Sequence, residues 1–261
     1  MSEDFRSNHL PVLVMTAGGP NPWMVINALA RHFPSVEVLL EQPESKGEIF
    51  RRRARRLGRL AAAGQMATMA AAKLMRGAAN RRMQEICKAF DADPRFNPDV
   101  PVTAVSSINS PEALEAVRRI APGVILLVST RLMSRAMLSS LPCPVLNLHA
   151  GINPAYRGQM GGYWSLVEKD RENFGATVHL VDAGTDTGAT LYQVRTRPEP
   201  GDFISTYPML LTAAALPATV RAVEDAMRGD MKPQTPHGPS SLRFPPTLWN
   251  WILNGLTKRI W

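Results

Sequence analysis

Apolar and polar positions switch between two periods along this chain, and the switches mark its elements. Leu10-Pro-Val-Leu-Val-Met-Thr16 is a short apolar run broken by Ala17-Gly18-Gly19-Pro20-Asn21-Pro22, the pattern of a buried strand entering a tight turn. Apolar residues then recur at helical spacing from Trp23 to His32, and Val36-Glu-Val-Leu-Leu40 reads as a second strand. Strand, glycine loop, helix and strand in that order begin a doubly wound parallel sheet. The pattern resumes with a strand over 100–105 and a helix opened by Ser110-Pro111-Glu112, where Ser caps and Pro suits the first helical position. Residues 123–129 form an unbroken apolar run, hence a central strand, and 145–149 follow as the next. Residues 176–181 and 189–194 read as a hairpin-like pair, and a Leu/Ala-rich helical stretch runs from Asp202 to Met227. The fold class is therefore α/β, a Rossmann-like, parallel-dominated twisted sheet.

Between about residues 45 and 90 the period changes. Arg51-Arg-Arg-Ala-Arg-Arg56 opens a stretch rich in Ala, Met and Leu with few breakers, expected as two helices separated near Gly64 or Gly77. The chain carries a net charge of +8, but twelve Lys or Arg and only two acids lie between Ser45 and Lys88, which leaves the rest at −2. The basic character thus belongs to one insertion. Its Arg51–Arg59 cluster admits a solvated helix face, an anion-binding surface or a nucleic-acid contact. Because the run is one-signed and leads into an Ala/Met/Leu helix, it also suits an amphipathic interaction element.

At 261 residues the chain can bury a substantial core. The expected division is a catalytic domain over 1–228, with the helical basic insertion inside it, and a Pro/Trp-rich tail over 229–261. In that tail Trp249, Trp251 and Trp261 stand beside Lys258 and Arg259, which suits core packing or a dimer seam ahead of peripheral membrane contact. No apolar run reaches the ~18 residues that span a bilayer. The N-terminus is polar and carries acids, so no secretory signal is expected there, and a cytoplasmic protein is. Cys87 and Cys143 have no metal-ligand spacing, so neither a disulfide framework nor a metal site is expected.

Chemistry gathers around Val145-Leu-Asn147-Leu-His149 and the later Asp186-Thr-Gly188 turn. One residue separates Asn147 from His149 at a strand end, so both side chains point to the same face. An amide donor then stands beside an imidazole at the carboxyl edge of a parallel sheet, where such folds bind ligands. Asn, His and Asp are what an enzyme needs to move an acyl group without a covalent intermediate. One holds the oxyanion, one shuttles the proton and one orients the shuttle. An isolated Asn-x-His would equally be a turn cap and a core histidine.

These residues stand in a longer order: Pro144-Val-Leu-Asn-Leu-His-Ala-Gly-Ile-Asn-Pro-Ala-Tyr156-Arg157-Gly158, then Gly162-Tyr-Trp164. Gly175-Ala-Thr-Val-His179-Leu-Val-Asp182-Ala-Gly184-Thr-Asp186-Thr-Gly188 completes it. Order and spacing resemble the folate-dependent formyltransferase family, which includes glycinamide ribonucleotide, methionyl-tRNA and amino-sugar formyltransferases. The resemblance implies N10-formyltetrahydrofolate as co-substrate, Asn147 as oxyanion donor, His149 as proton carrier and Asp186 as its partner. It further implies that Arg131, Leu132 and Met133 line the pterin pocket, with Arg131 able to face the folate's glutamate tail. Asp182 and Gly184 belong to the loop bordering the folate, and Gly19 and Asn21 match the substrate-binding first loop. His179 reads as structural or as support to the catalytic set. One departure is that many members have Pro-Ser after the histidine, where this chain has Ala150-Gly151.

Within that resemblance, elimination favours an amino sugar as the expected acceptor, nucleotide-linked for preference. The tail is too short for the C-terminal domain of methionyl-tRNA enzymes, and compact glycinamide ribonucleotide enzymes lack such an insertion. The rival readings are a hydrolase that passes the formyl group to water, a glycinamide-ribonucleotide-type transferase, and a non-enzymatic adaptor binding nucleic acid or an anionic surface. A nucleic-acid partner is not favoured, and a homo-oligomer stays open.

Overall fold

The apolar runs become strands of one seven-stranded sheet in a computed structural model that describes residues 10–261. The polar N-terminal stretch lies outside the described residues. Strand β1 (Val12–Thr16) leads into helix α1 (Pro20–His32), and β2 (Val36–Glu41) follows. Helix α1 starts at Pro20 rather than Trp23, because a proline at the first helical position lacks only an N–H that would be orphaned there anyway.

The insertion holds three helices rather than two: α2 (Lys46–Leu57), α3 (Arg59–Leu74) and α4 (Arg76–Ala89). They break at Gly58, whose φ of 86° favours glycine, and at Met75. Gly64 stays within α3. Its missing side chain lets the Trp249 ring lie against the helix backbone.

Beyond the insertion come β3 (Val102–Val105) and α5 (Pro111–Ile120), whose first turn is capped as expected by the Ser110 hydroxyl accepting from the Ala113 N–H. Then follow β4 (Val124–Leu127), α6 (Arg135–Ser139), β5 (Val145–His149), the short β6 (Arg157–Gly158) and α7 (Gly161–Val167). The hairpin-like pair is β7 (Gly175–Leu180) and β8 (Thr190–Arg195). The Leu/Ala-rich stretch is interrupted at Ala215, giving α8 (Tyr207–Ala214) and α9 (Leu216–Arg228). In the tail, β9 (Leu242–Arg243) pairs parallel with β6, and α10 (Leu248–Lys258) starts at the Thr247 cap.

The sheet runs β3-β2-β1-β4-β5-β7-β8, parallel through β5 and antiparallel in its last two pairings. Successive residues of β1 alternate between two cores. Val12 and Val14 join Leu126 and Leu146 against α1, α8 and α9, while Leu13 and Met15 join Ile125 and Leu127 against α5. The direction of strand addition reverses between β1 and β4. Side chains at the carboxyl ends of β1, β4 and β5 therefore border a crevice that neither crossover covers.

The insertion and tail close this crevice and hold each other. Gln65 and Thr68 on α3 donate to the Pro245 and Pro246 carbonyls, each at 2.9 Å. Arg82 on α4 donates to Asp202 at 2.8 Å, and the Trp164 indole donates to the Phe244 carbonyl at 2.8 Å. Among the described residues no helix is long and apolar enough to cross a membrane.

Candidate active site

Asn147 and His149 sit on one face of β5, as their spacing requires. The antiparallel register places His179 of β7 directly opposite Asn147. The loop between β7 and β8 returns over this strand end and delivers Asp186, whose φ of 51° turns its carboxylate inward. Gly188 permits that return, since a Cβ there would collide with the Leu180 carbonyl. Asp186 Oδ1 accepts from the Asn147 amide at 3.2 Å and lies 3.4 Å from His179 Nε2. Its Oδ2 accepts from the Gly158 N–H at 2.8 Å and lies 3.6 Å from His149 Nδ1.

Hydrogen-bond partners assign the ring nitrogens. His149 Nε2 is 2.7 Å from the Tyr156 carbonyl, which only accepts, so this nitrogen carries the hydrogen. Nδ1 is then the basic atom, with the Asp186 carboxylate beside it. His179 Nδ1 likewise faces the Leu180 carbonyl at 2.7 Å, and its Nε2 accepts from the Asn147 amide at 3.1 Å. Both amide hydrogens of Asn147 are thus engaged, one with Asp186 and one with His179. An incoming carbonyl oxygen competes for one of them.

Burial alone would raise the Asp186 pKa. The facing His149 and His179 rings and the Gly158 N–H outweigh it and hold the carboxyl below the ordinary carboxylate range. Asp186 is therefore a fixed negative charge at neutral pH. It steadies any proton that Nδ1 of His149 acquires.

The glycines after the histidine have a steric cause. A Cβ on Gly151 would collide with His149 Nε2 and the Tyr156 carbonyl, breaking the bond that sets the tautomer. A Cβ on Gly161 would in turn strike Gly151. This close packing of two backbones accounts for Gly151 after Ala150.

All three groups border a cavity of about 790 Å³, large enough for a drug-sized ligand. Asn21 also borders it, with a buried Oδ1 that has no hydrogen-bond partner among the described residues. Gly19 does not border it; it stands at the start of α1 with a φ of 105°. Arg131 borders the cavity but commits two donor nitrogens to the Ser106 and Gln42 carbonyls, while its backbone N–H donates to Glu41 at 2.7 Å. Leu132 is exposed at the rim, and Met133 packs beneath it in the second core. Asp182 folds its own loop, accepting from the Gly184 N–H at 3.0 Å and the Thr187 hydroxyl at 2.6 Å. Gly184 leaves room for Thr187.

The sequence did not assign three further participants to the site. Gly158 supplies an N–H to the carboxylate, and Arg157 donates to the Thr185 carbonyl at 2.9 Å, pinning the Asp186 loop. The third is the cavity wall from the insertion, where Arg53 and Arg56 face the cavity. Neither makes an ion pair within 4.0 Å among the described residues. Among the described residues the Arg53 side chain hydrogen-bonds the Met69 sulfur at 3.4 Å, and Arg56 lies over the Phe244 ring with 4.7 Å to its centroid. Burial first, and then neighbouring Arg52, lower the Arg53 pKa, while Glu44 opposes them.

Residues 52–220 match the family model described as formyl transferase. The chain belongs to the formyl transferase family. It is 30% identical to the methionyl-tRNA formyltransferase of Geotalea daltonii over 104 residues, 40% of this chain and 33% of that protein. It is 28% identical to the Pelobacter propionicus enzyme of the same name over 139 residues, 52% and 43% of the two chains. The matches thus span well under half the length of these relatives. Among solved structures, a sugar N-formyltransferase from Shewanella superposes with a TM-score of 0.56 at 12% identity, covering 90% of this chain and 76% of its own. A phosphoribosylglycinamide formyltransferase from Coxiella burnetii gives 0.55 at 18%, with 90% and 99% covered. At such identities the likeness is one of fold. Family membership joins the two halves of the site: the formyl transferase match runs from the basic insertion through the Asp186 loop and into α9.

Proposed function

We propose that the protein transfers a formyl group from N10-formyltetrahydrofolate to the primary amine of an amino sugar, nucleotide-linked for preference. The observation that carries this reading is the convergence of Asn147, His149 and Asp186 on one cavity, with Nδ1 of His149 left basic. The amine attacks the formyl carbon. Asn147 turns one amide hydrogen to the developing oxyanion, an interaction worth about 3 kcal/mol when preorganised. Nδ1 of His149 takes the amine proton and returns it to the departing folate nitrogen, while Asp186 stabilises the intervening imidazolium. Arg53 and Arg56 favour an acceptor bearing an anionic group such as a diphosphate, since two guanidinium groups without acid partners face the cavity. The sugar N-formyltransferase among the fold relatives accords with that acceptor class.

The test is tetrahydrofolate release from N10-formyltetrahydrofolate, followed spectroscopically with and without a panel of amines, including nucleotide-linked amino sugars. Amine-dependent release is expected, falling on the order of 10³-fold in His149→Ala. Release without any amine would replace the transferase with a hydrolase, and no folate turnover at all would overturn the enzymatic reading.

A further inference from the structure

Two adjoining helices each leave a stripe of apolar side chains facing outward. In α10 the buried positions are Trp251, Asn254 and Gly255, whereas Trp249, Ile252, Leu253 and Leu256 are 48, 42, 57 and 71% exposed. Those four fall at i, i+3, i+4 and i+7, a single helical stripe. In α3 the inward positions are Ala62, Gly64, Gln65 and Thr68, whereas Leu60 and Leu74 are 75 and 89% exposed. Exposed Ala63 and Ala70 continue that line. Trp249 joins the two stripes, because its ring rests on Gly64, one turn from Leu60. Contiguous exposed apolar area of this kind marks an interaction surface.

Charge selects the occupant. Arg55 and Arg59 stand exposed where α2 meets α3, Lys73 and Arg76 at the other end of α3, and Arg259 at the end of α10. A second copy would bring the same one-signed insertion against itself. Nucleic acid would meet the arginines but leave Ile252, Leu253 and Leu256 in water. An anionic bilayer satisfies both features. Aliphatic side chains enter the acyl boundary, indoles suit headgroup depth, and Lys and Arg meet the lipid phosphates. With no helix among the described residues able to span, the two would lie in the interface plane.

We propose that the α3/α10 face seats this protein on an anionic lipid bilayer as a peripheral membrane surface. The proposal stands apart from the chemistry assigned to the cavity. The experiment is co-sedimentation of the full chain with vesicles of phosphatidylcholine alone or mixed with phosphatidylglycerol, at low and high salt. Strong binding is expected only to the mixed vesicles, weakening with salt. The Leu253→Ser/Leu256→Ser variant should bind at least about tenfold more weakly with an unchanged thermal melt, since neither residue is buried. The Arg55→Gln/Arg59→Gln variant should lose affinity to a similar extent, on the order of tenfold. Failure to sediment with the mixed vesicles overturns the proposal. A concentration-dependent dimer dissolved by the leucine substitutions would assign the face to a second copy instead. Salt-sensitive binding to duplex nucleic acid without vesicle binding would assign it to that partner.

Discussion

Strand β4 and helix α3 bury opposite kinds of residue. Every residue of β4 is buried, and each is Val, Ile or Leu. Helix α3 buries Ala62, Gly64, Gln65 and Thr68 and leaves Leu60 and Leu74 in solvent. The strand is held by apolar burial on two faces. The helix is held by small residues that admit the Trp249 ring and by hydrogen bonds to Pro245 and Pro246. One region therefore spends its apolar residues on folding, and the other keeps them on the surface.

The sharpest break of this comparison is the ion pair that fastens the insertion. Arg82 is nearly buried and bonds Asp202, whose side chain is fully so, with Glu85 and Glu199 on its other nitrogens. Hydrogen bonding to Asp202 first, and to Glu85 and Glu199 after it, holds the Arg82 pKa above its ordinary value against the opposing effect of burial. Arg82→Met should cost about 3 kcal/mol or more in chemical denaturation, because it strands a buried carboxylate. If denaturation were unchanged, the insertion would not be fastened there.

A matched pair of leucines comes next. Leu126→Ala in β4 should cost about 2–5 kcal/mol, and Leu256→Ser in α10 should stay within about 0.5 kcal/mol. Equal losses would erase the distinction between the regions.

The smallest effect is that of pH. A carboxyl with a depressed folded pKa contributes stability that is complete above its unfolded value, about 3.9, and is lost as pH falls through the folded one. Wild type should therefore exceed Asp186→Asn in stability by at least as much in mild acid as at neutrality, and the difference should close only in strong acid. A difference that shrank between neutrality and mild acid would remove Asp186 from its two histidines.

The parallel sheet was legible because β1, β4 and β5 are continuous apolar runs and because glycine and proline punctuate them. Asn147 and His149 were legible for a local reason too, since a strand's period of two places both on one face. The insertion was read less well. Alanine-rich sequence gives a helix no preferred stopping point, so Gly64 and Gly77 looked as able to break it as Gly58 does. The sequence offered His179 as a structural or supporting residue without naming its partners. Its contact with Asn147 comes from antiparallel pairing across thirty-two positions, and nothing local to Val178 and Leu180 records it.

By itself the sequence determined the alternation of strand and helix, the concentration of charge in one insertion and the shared face of Asn147 and His149. Each follows from sterics and periodicity acting over a few residues. Only the tertiary structure decided that Asp186 meets two histidines, that Gly158 donates to its carboxylate and that Arg53 and Arg56 wall the cavity. The same is true of which side of α3 and α10 faces out. Those outcomes depend on contacts between segments far apart in the chain, where a residue's neighbours are set by packing rather than by its place in the sequence.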